Sequence, residues 1–571
     1  MYFIFMKEYQ KAKNNLYLFV SFFLGIIAFL CIYGFEPLRY TGLGWTQHGF
    51  DGNDITQHQT GWMFFRNSPW TFPLCKTLHL GYPEGVSIAF TDSIPIAAVF
   101  FKIISPVLPR DFQYFGIYTC FCFAMQGLFA AALLYRFTEN KLYSVISSVL
   151  FITASCFLER CFRHTALSSH WMLLAALWLY FAKTSKSYLK WSIILCIAIG
   201  VHPYLYVMVL AVYFIFSAEN IYRSKNKKLD LIYSLISAAT SFTVGYVLGI
   251  FGTNIDPATG FGVYSLNLNA IFNPNSAHHK KWSAWMQNRP MYAGQSDGIY
   301  YLGMPMLLLT AAAVLLVICF RAKAVKAFIK KHPLYIPLCT LFTIYAFSNI
   351  IAFDDHVVFR YALSKKLIEE VLNIFRASAR FFFIPYYSII LFTLTIIYKS
   401  IPVKRFAIIL VSIITMLQTV EIRPGLIDFH QYFSERIHQL ELSHEWTELA
   451  DTYSTAISFD CLADRTLAFW LAQHGFKTNM MISAPVHMDA YWKQTENSRN
   501  KIKEELYNGT FDLNSETIYI ISEQTGKNCV FNNEEQLVAY LDVVRSRYKD
   551  KANIFYLTDW YKNYWIICPV Q

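Results

Sequence analysis

The chain has 571 residues, of which 55% are hydrophobic and 15% are charged. Soluble globular proteins carry about 25% charged residues, so this composition excludes an ordinary water-soluble protein and indicates apolar runs that need a bilayer. The net charge of +11 does not indicate nucleic-acid binding, because the Lys and Arg residues lie in short clusters between apolar runs.

The N-terminal region predicts a membrane anchor. Lys7, Lys11 and Lys13 precede an apolar run at 16–35. This run is long enough to span a bilayer, and no small-residue cleavage site follows it. We therefore expect an uncleaved first helix with its N-terminus inside.

Ten further runs are long or apolar enough to cross a membrane. Between the spans, each short segment that falls on the inner side contains at least two Lys or Arg residues, as the positive-inside rule requires. The sequence therefore predicts about eleven transmembrane helices, at 16–35, 112–135, 142–158, 165–182, 189–201, 203–218, 231–251, 300–320, 333–352, 381–398 and 406–420.

The first outer segment, 36–111, contains one further apolar stretch. Ser93–Leu108 is only about sixteen residues long, holds Lys102 and includes Pro106. A span here would place the basic segments outside, so we expect a re-entrant or interfacial helix instead.

The composition changes after Glu421. Charged residues become frequent, and short β-rich segments alternate with the helical stretches 496–507 and 533–548. This pattern predicts a transmembrane domain at 1–420 and a soluble extracytoplasmic α/β domain at 421–571. Its expected strands are Thr455–Phe459, Lys477–Ile482, Thr517–Ser522 and Asn553–Leu557.

Candidate catalytic side chains follow the first span. From Ile55 the pattern predicts an amphipathic helix on which Asp54, His58 and Trp62 share one face, because they are spaced four residues apart. Asp54 is either a catalytic carboxylate or the cap of this helix. Asp92 is either its partner carboxylate or the N-cap of the interfacial helix.

Ionisable groups also lie close to the apolar layer between the third and fourth spans. Arg163, His164 and His170 are candidates for function, since such groups are costly near a membrane, although arginines there can also extend to the interface. His202, which precedes Pro203, interrupts a later apolar run and is either structural or part of a binding site.

Two arginines precede the tenth span. Arg376 and Arg380 are spaced to share one helical face, and two guanidinium groups so placed suit a phosphate. Membrane-interface placement or pairing with carboxylates is the alternative.

Metal and nucleotide motifs give little signal. Asp354, Asp355 and His356 could bind a metal through carboxylate oxygens, but an exposed acidic loop is the commoner explanation of such a group. No Cys/His set has zinc spacing and no phosphate-binding glycine loop occurs, so the sequence indicates neither a zinc site nor nucleotide-driven chemistry on the inner side.

These motifs resemble an uncharacterised bacterial family of polytopic membrane proteins with the GT-C type glycosyltransferase fold. In this chain the resembling stretches include Asp54-Ile-Thr-Gln-His58, Phe90-Thr-Asp92-Ser-Ile-Pro95, Arg163-His164 with His170-Trp171, Phe261-Gly-Val-Tyr-Ser-Leu-Asn267 and Phe375-Arg376-Ala-Ser-Ala-Arg380. One departure concerns the turn before His164, where Phe162 and Arg163 stand and the family has a glycine.

The resemblance implies an enzyme of the bacterial inner membrane. It would transfer a sugar from a polyprenyl-phosphate-linked donor to an extracytoplasmic glycan or lipid acceptor, and it leaves the need for a divalent cation open. The implied roles are general base for Asp54, with His58 and Asp92 as helpers; lipid-phosphate binding for Arg163, His164, Arg376 and Arg380; and substrate binding for Trp62, His170 and His202.

Two non-enzymatic readings compete with this one. The chain could be a lipid or polysaccharide transporter, or an assembly factor of the cell envelope. Transporters tend to place titratable groups at the bilayer midplane and to contain repeated halves. Here the polar groups concentrate on one side and no repeat is found, which favours the enzyme.

Overall fold

The secondary structure is mainly helical. The computed structural model describes residues 2–48, 54–182, 187–251, 260–276, 281–434, 438–459, 464–482, 489–523, 530–559 and 562–570. The helices up to residue 331 are α1 (Tyr2–Tyr33), α2 (Gly44–His48), α3 (Asp54–Asn67), α4 (Pro95–Ile103), α5 (Phe115–Thr138), α6 (Lys141–Ile152), α7 (Ser155–Leu158), α8 (Trp171–Tyr180), α9 (Tyr188–Val201), α10 (Pro203–Arg223), α11 (Lys227–Leu248), α12 (Met304–Leu316) and α13 (Ala322–Lys331).

The remaining helices are α14 (Tyr335–Phe347), α15 (Lys365–Glu370), α16 (Phe383–Ser400), α17 (Lys404–Glu421), α18 (Arg423–Ser434), α19 (His444–Thr452), α20 (Arg465–Gln473), α21 (Asp489–Asn508) and α22 (Glu534–Arg547). The strands are β1 (Lys76–Thr77), β2 (Val86–Ser87), β3 (Ile350–Phe353), β4 (His356–Arg360), β5 (Thr455–Ser458), β6 (Lys477–Thr478), β7 (Thr517–Ser522), β8 (Ala552–Thr558) and β9 (Asn563–Pro569).

The described part of the chain has six helices that are long and apolar enough to cross a membrane, so this is a membrane protein. A seventh is present if α17 and α18, which are bent by 56°, form one broken span. Helices α6, α9 and α14 coincide with predicted spans but have only 12, 14 and 13 residues. The total of eleven stays a prediction. The six are Asn15–Tyr33, Phe115–Thr138, Pro203–Arg223, Lys227–Leu248, Met304–Lys331 and Ser378–Ser400.

The chain divides into two compact units, which do not follow the sequence order. The helical unit comprises Met1–Tyr40, Tyr114–Gly245 and Ala258–Arg436. The mixed unit comprises Thr41–Gln113, Tyr246–Pro257 and Ile437–Gln571. The first outer segment and the C-terminal region thus belong to the same unit, while the domain boundary expected at residue 420 stays a prediction.

Close packing of α1 against α5 organises the helical unit. A Cβ on Gly25 would overlap with the carbonyl oxygen of Phe123, and one on Gly127 would overlap with that of Ser21. Small residues let two membrane helices approach until their backbones touch, which maximises dispersion contacts where no hydrophobic driving force acts between helices.

A five-stranded sheet forms the centre of the mixed unit. Its order is β6-β5-β7-β9-β8, with β5 parallel to β6 and β7, and β9 antiparallel to β7 and β8. Four strands lie on the predicted segments, and β9 was not predicted. Their apolar side chains pack with α21 and α22, where Leu506, Leu537 and Val544 are fully buried.

The first outer segment joins this sheet at its edge. Leu80 forms a parallel bridge with Thr478 of β6, and the N–H of Tyr82 donates to the Thr478 carbonyl at 2.9 Å. The Asn67 amide at the end of α3 donates to the carbonyl of Ala472 in α20 at 2.8 Å. Two segments more than 350 residues apart in sequence thus share one core.

Helix α4 lies within the stretch where the sequence predicts a re-entrant or interfacial helix, and its placement at the membrane interface stays a prediction. Its nine residues are too few to cross a bilayer. Phe100 is 57% exposed, whereas Lys102 is buried and donates to the Phe65 carbonyl at 2.7 Å. Nearby, the N–H of Leu74 donates to the carbonyl of Val247, in the last turn of α11.

Replacing Gly25 by Leu tests the packing of α1 on α5. We expect destabilisation of about 1–3 kcal/mol, because the new side chain must displace backbone atoms rather than flexible side chains. The measurement is the thermal midpoint of the detergent-solubilised protein. Ile27→Leu is the matched control, since Ile27 lies on the same helix and is 54% exposed; equal midpoints for both variants would contradict the packing argument.

Candidate functional site

Helix α3 carries the first group of candidate residues and is buried on every side. All residues from Ile55 to Phe65 are buried, including Thr56, Gln57 and Gln59. The prediction of an amphipathic helix is therefore wrong. The polar side chains are covered because α3 packs against α20 and against the turn at 88–93 within the mixed unit.

His58 and Asp92 lie together in this unit. The His58 Nε2 atom is 4.0 Å from a carboxylate oxygen of Asp92, and the Ser93 hydroxyl donates to the His58 carbonyl at 2.7 Å. Gly61 permits this approach, because a Cβ there would overlap with the Thr91 hydroxyl. Burial lowers the pKa of His58 to about 3, so the imidazole is neutral at physiological pH.

Asp92 does not cap the interfacial helix. Asp92 ends a 3-10 turn (Ile88–Thr91) in the left-handed conformation with φ of 55°, and Ile94, with φ of 52°, stands at the N-cap of α4. Left-handed φ is unfavourable for a β-branched residue such as Ile94 and is held only where surrounding contacts enforce it. The Asp92 side chain is 24% exposed, so its carboxylate reaches both His58 and solvent.

Asp54 and Trp62, the other two candidates on α3, lie one helical turn before and one helical turn after His58. Asp54 is the first residue of the helix, where a carboxylate is stabilised by the positive end of the helix dipole. Trp62 is fully buried and its indole N–H donates to the Phe112 carbonyl at 2.9 Å. Trp62 thus anchors α3, and its role in substrate binding stays a prediction.

In the helical unit, an ionic cluster surrounds Asp297. Arg160 donates to one carboxylate oxygen of Asp297, Arg380 contacts the other at 3.0 Å, and His164 Nε2 lies 4.0 Å from the first. Burial alone would raise the pKa of Asp297, but the charges of Arg380, Arg160 and His164 outweigh it and hold the pKa well below its usual range. The carboxylate is therefore ionised.

Arg376 and Arg380 do not share a helical face, contrary to the prediction. Arg376 ends one 3-10 turn and Arg380 lies in the next, separated by Ala377 with ψ of 68°. The helix is interrupted because the Ala377 N–H donates to the Tyr204 hydroxyl at 2.9 Å. The Arg380 guanidinium lies 4.9 Å from the Tyr204 ring centre, and that of Arg376 lies 5.2 Å from the Tyr264 ring centre.

Arg163 is a neighbour of this cluster in sequence and is buried. It donates to Glu159, one helical turn earlier, and lies 5.9 Å from the Phe429 ring centre. Phe162 before it has φ of 64°, a left-handed conformation that favours glycine and is rare for a bulky residue. The turn therefore keeps a glycine-like backbone although the sequence has no glycine there.

His170 and His202, the other two histidines among the predicted site residues, each form a hydrogen bond within the helical unit. His170 is fully buried, and its Nδ1 lies 2.7 Å from the Tyr387 hydroxyl. His202 precedes α10 and its Nδ1 accepts from the Tyr204 N–H at 3.1 Å, so it caps that helix. The substrate roles of both residues stay predictions.

Two residues of the cluster were not among the predicted site residues. These are Asp297, which lies in the turn Gly294–Gly298, and Arg160, which follows α7. Both lie in irregular segments, where charged residues are common. The available signal was charge: Asp297 is a lone carboxylate directly before an apolar run, and Arg160 lies in a segment that the positive-inside rule does not explain.

The acidic loop at 354–356 does not fit a metal. Both carboxylate oxygens of Asp354 accept from Arg289, at 2.9 and 2.6 Å, and Asn269 also donates to this carboxylate. Asp355 and His356 are exposed and lie 3.3 Å apart. Within the described ranges, no group of three or more His, Cys, Asp or Glu residues is arranged to hold a metal ion.

The comparison with protein families gives one match, over residues 22–423, to the family described as a domain of unknown function, DUF6311. This match covers well over half of the chain and contains every residue of the two clusters. The chain belongs to this family. The family description assigns no activity.

The other comparisons add no activity. No curated protein matches the chain. A crystal structure of the Archaeoglobus fulgidus oligosaccharyltransferase in complex with zinc and sulfate is similar at 13% identity and a TM-score of 0.37, over 94% of this chain and 72% of that one.

Asp297→Asn should destabilise the helical unit by about 3–5 kcal/mol, because the buried Arg160 and the largely buried Arg380 would lose their carboxylate. Since the folded-state pKa of Asp297 is lowered, its stabilisation is complete above the ordinary carboxyl pKa and disappears only in stronger acid. Thermal midpoints at pH 7 measure the loss. Asp355→Asn is the control, because this side chain is 51% exposed. A similar thermal midpoint for both variants would contradict the stabilising role of Asp297.

His58 should make the mixed unit less stable as the pH falls below 6.5. Below pH 6.5 the His58 imidazole binds a proton in the unfolded chain, whereas in the folded protein it stays neutral down to about pH 3. The free energy of unfolding therefore falls with decreasing pH, by up to about 1.4 kcal/mol per pH unit. Thermal midpoints at pH 7.5 and 5.0 should differ less for His58→Gln than for the unmodified protein. His79, whose pKa burial lowers to about 4, keeps part of the dependence.

The control for this experiment is His444→Gln. The His444 side chain is 82% exposed on α19 of the same unit, and the variant should retain the full pH dependence. If His58→Gln and His444→Gln show the same dependence, the buried imidazole is not its source.

Proposed function

We propose that this protein is a membrane glycosyltransferase of the GT-C type, with about eleven transmembrane helices and an outer α/β domain. It transfers a sugar from a polyprenyl-phosphate-linked donor to an extracytoplasmic glycan or lipid acceptor in the bacterial cell envelope. The observation that carries the proposal is the ionic cluster of the helical unit, in which Arg160, Arg380 and His164 converge on the carboxylate of Asp297 and Arg376 lies 5.2 Å from the Tyr264 ring centre.

The cluster supports phosphate binding because its geometry is already fixed. Asp297 holds Arg160 and Arg380 in place, and Tyr204 orients the segment of Arg376 and Arg380 through the Ala377 N–H and its own ring. Preorganised guanidinium groups in a low-dielectric surrounding stabilise a developing phosphate charge without reorganisation during the reaction. Arg376 and Arg380, with Arg163 and His164, would hold the lipid phosphate.

The chemistry requires a base and no acid. The bond between the anomeric carbon and the phosphate oxygen breaks, and the acceptor hydroxyl oxygen forms a new bond to that carbon. The lipid phosphate leaves with the bonding electron pair and its negative charge, so it needs cations rather than a proton. The acceptor hydroxyl must lose its proton, and a carboxylate can accept it.

Asp54 is our choice for that base. It begins α3, and the same helix carries His58, which contacts Asp92. A neutral His58 can accept or donate a hydrogen bond without adding positive charge, so it can orient an acceptor hydroxyl or a carboxylate. Trp62, His170 and His202 would then contribute to substrate binding through the elements they anchor.

Separate variants test the two roles. With a panel of polyprenyl-phosphate hexoses and pentoses, and membranes as acceptor source, Asp54→Asn should reduce transfer at least about 100-fold because it removes the base. Arg376→Gln should mainly weaken donor binding, by roughly tenfold, because it removes one charge-assisted contact. Transfer is measured as release of the lipid phosphate and as labelled acceptor.

The matched controls are Glu84→Gln and Arg360→Gln. Glu84 is exposed in the mixed unit and Arg360 is exposed on β4 of the helical unit. Both should retain transfer and donor binding. Full transfer by Asp54→Asn would remove this residue as the base, and absence of any turnover by the unmodified protein across the panel would reject the enzyme proposal.

A further inference from the structure

A cavity lies in the helical unit, away from the Asp297 cluster in sequence. It has a volume of about 960 Å³ and is lined by the end of α8, the first turns of α9, the end of α10, the start of α11 and Lys331 with His332. Ligand cavities of about 300–1,000 Å³ are the usual size for small organic molecules. None of the residues assigned above to the transfer reaction lines it.

The cavity lies at the level of a membrane interface. The candidate span at Pro203–Arg223 ends at its edge, the span at Lys227–Leu248 begins there, and the span at Met304–Lys331 ends there. Phospholipid headgroups occupy this level of a bilayer, next to the ends of the apolar helices.

Both carboxylate oxygens of Glu219, which lines the cavity, have partners within the protein. One carboxylate oxygen accepts from the Tyr180 hydroxyl at 2.9 Å and from the Leu334 N–H at 3.1 Å. The other lies 3.6 Å from the Arg223 guanidinium and 3.9 Å from His332 Nδ1. Burial, with the charges of Lys331 and Arg223, lowers the pKa of His332 to about 4, so this imidazole adds no charge.

The two lysines of the cavity remain available. Lys225 and Lys331 are exposed, and their ammonium groups have no hydrogen bond or ion pair within the described part of the chain. Together with Arg223 they make three cations, against the carboxylates of Glu219 and Asp230. The net charge of the described lining is therefore +1, which complements one singly charged phosphodiester.

The side of the cavity away from these charges is apolar and open. Leu189 on α9 is 75% exposed, and on α11 Tyr233 is 44% and Ile236 is 54% exposed. Exposed apolar side chains on membrane helices contact acyl chains. The lining thus changes from cationic to apolar along its length, which matches a ligand with an anionic headgroup and apolar chains.

We propose that this cavity binds one anionic glycerophospholipid, with its phosphodiester on Lys225, Lys331 and Arg223 and its acyl chains along α9 and α11. The lipid would fill the gap between these helices and fix their ends. This site is independent of the proposed transfer reaction, and its test does not require turnover.

The experiment measures lipid retention by the full-length protein. The protein is purified in detergent, exchanged into nanodiscs of phosphatidylcholine that contain a minor fraction of phosphatidylglycerol, and then analysed by native mass spectrometry. We expect one tightly retained phosphatidylglycerol. Lys225→Gln with Lys331→Gln should bind it about tenfold more weakly, because two headgroup contacts are lost.

Two further double variants make the result specific. Lys225→Arg with Lys331→Arg keeps the charge and should retain the lipid. Lys323→Gln with Lys326→Gln removes two exposed lysines of α13 that do not line the cavity, and it should also retain the lipid.

Several outcomes would overturn the proposal. These are equal retention by the cavity glutamine variant and the α13 variant, equal retention of phosphatidylcholine, displacement of the lipid by millimolar inorganic phosphate, and preferential binding of a polyprenyl phosphate. Folding of each variant is checked by its elution as a monodisperse species, and the charge-conserving variant separates loss of charge from loss of structure.

Discussion

The helical unit depends on one buried carboxylate, that of Asp297. It joins Arg160, which follows α7, to Arg380, which precedes α16, so it links segments more than 80 residues apart on either side. A buried ion pair contributes little net stability, but removal of one partner leaves an uncompensated charge and is costly. The contacts of Asp297 with Arg160 and Arg380 therefore contribute mainly by fixing the geometry of the backbone before α16.

Backbone contacts extend this constraint. The Tyr300 hydroxyl donates to the Ala379 carbonyl at 2.5 Å, and the Ala379 N–H donates to the Tyr264 carbonyl at 3.1 Å. With the bond from Ala377 to Tyr204, these contacts replace the helical hydrogen bonds that the segment would otherwise make. Two 3-10 turns result, and the side chains of Arg376 and Arg380 stack on different tyrosines instead of lying side by side.

The sequence predicted what hydrophobicity and periodicity determine. Long apolar runs appeared as candidate spans at 115–138, 203–223 and 227–248, and the strand at Thr517–Ser522 has the predicted bounds. It did not predict the burial of α3, because Thr56, Gln57 and Gln59 are typical of a solvent-exposed face. Their burial follows from contacts with α20, which lies about 400 residues later in the chain, and the local pattern gives no signal for such contacts.

The same limit applies to ionic partners. A single sequence shows that Arg163, His164, Arg376 and Arg380 lie close to apolar runs, and on that basis they were predicted to be functional. It cannot show which carboxylate each will meet. Glu159 was recognisable as a partner of Arg163 from its spacing of four residues, whereas Asp297 became recognisable only when the turn at Gln295–Gly298 was placed beside Arg160.

The basic residues of the helical unit fall into two groups, which differ in their position relative to the predicted spans. Lys225 and Lys331 lie in short segments that the positive-inside rule explains, and they need no protein partner because they are exposed. Arg160, Arg163, Arg376 and Arg380 lie in segments that this rule leaves unexplained. Burying a cation costs several kcal/mol even when it is paired. Asp297 and Glu159 offset this cost by holding the guanidinium groups of Arg160, Arg380 and Arg163 in fixed positions, which is the preorganisation that stabilisation of an anionic group requires.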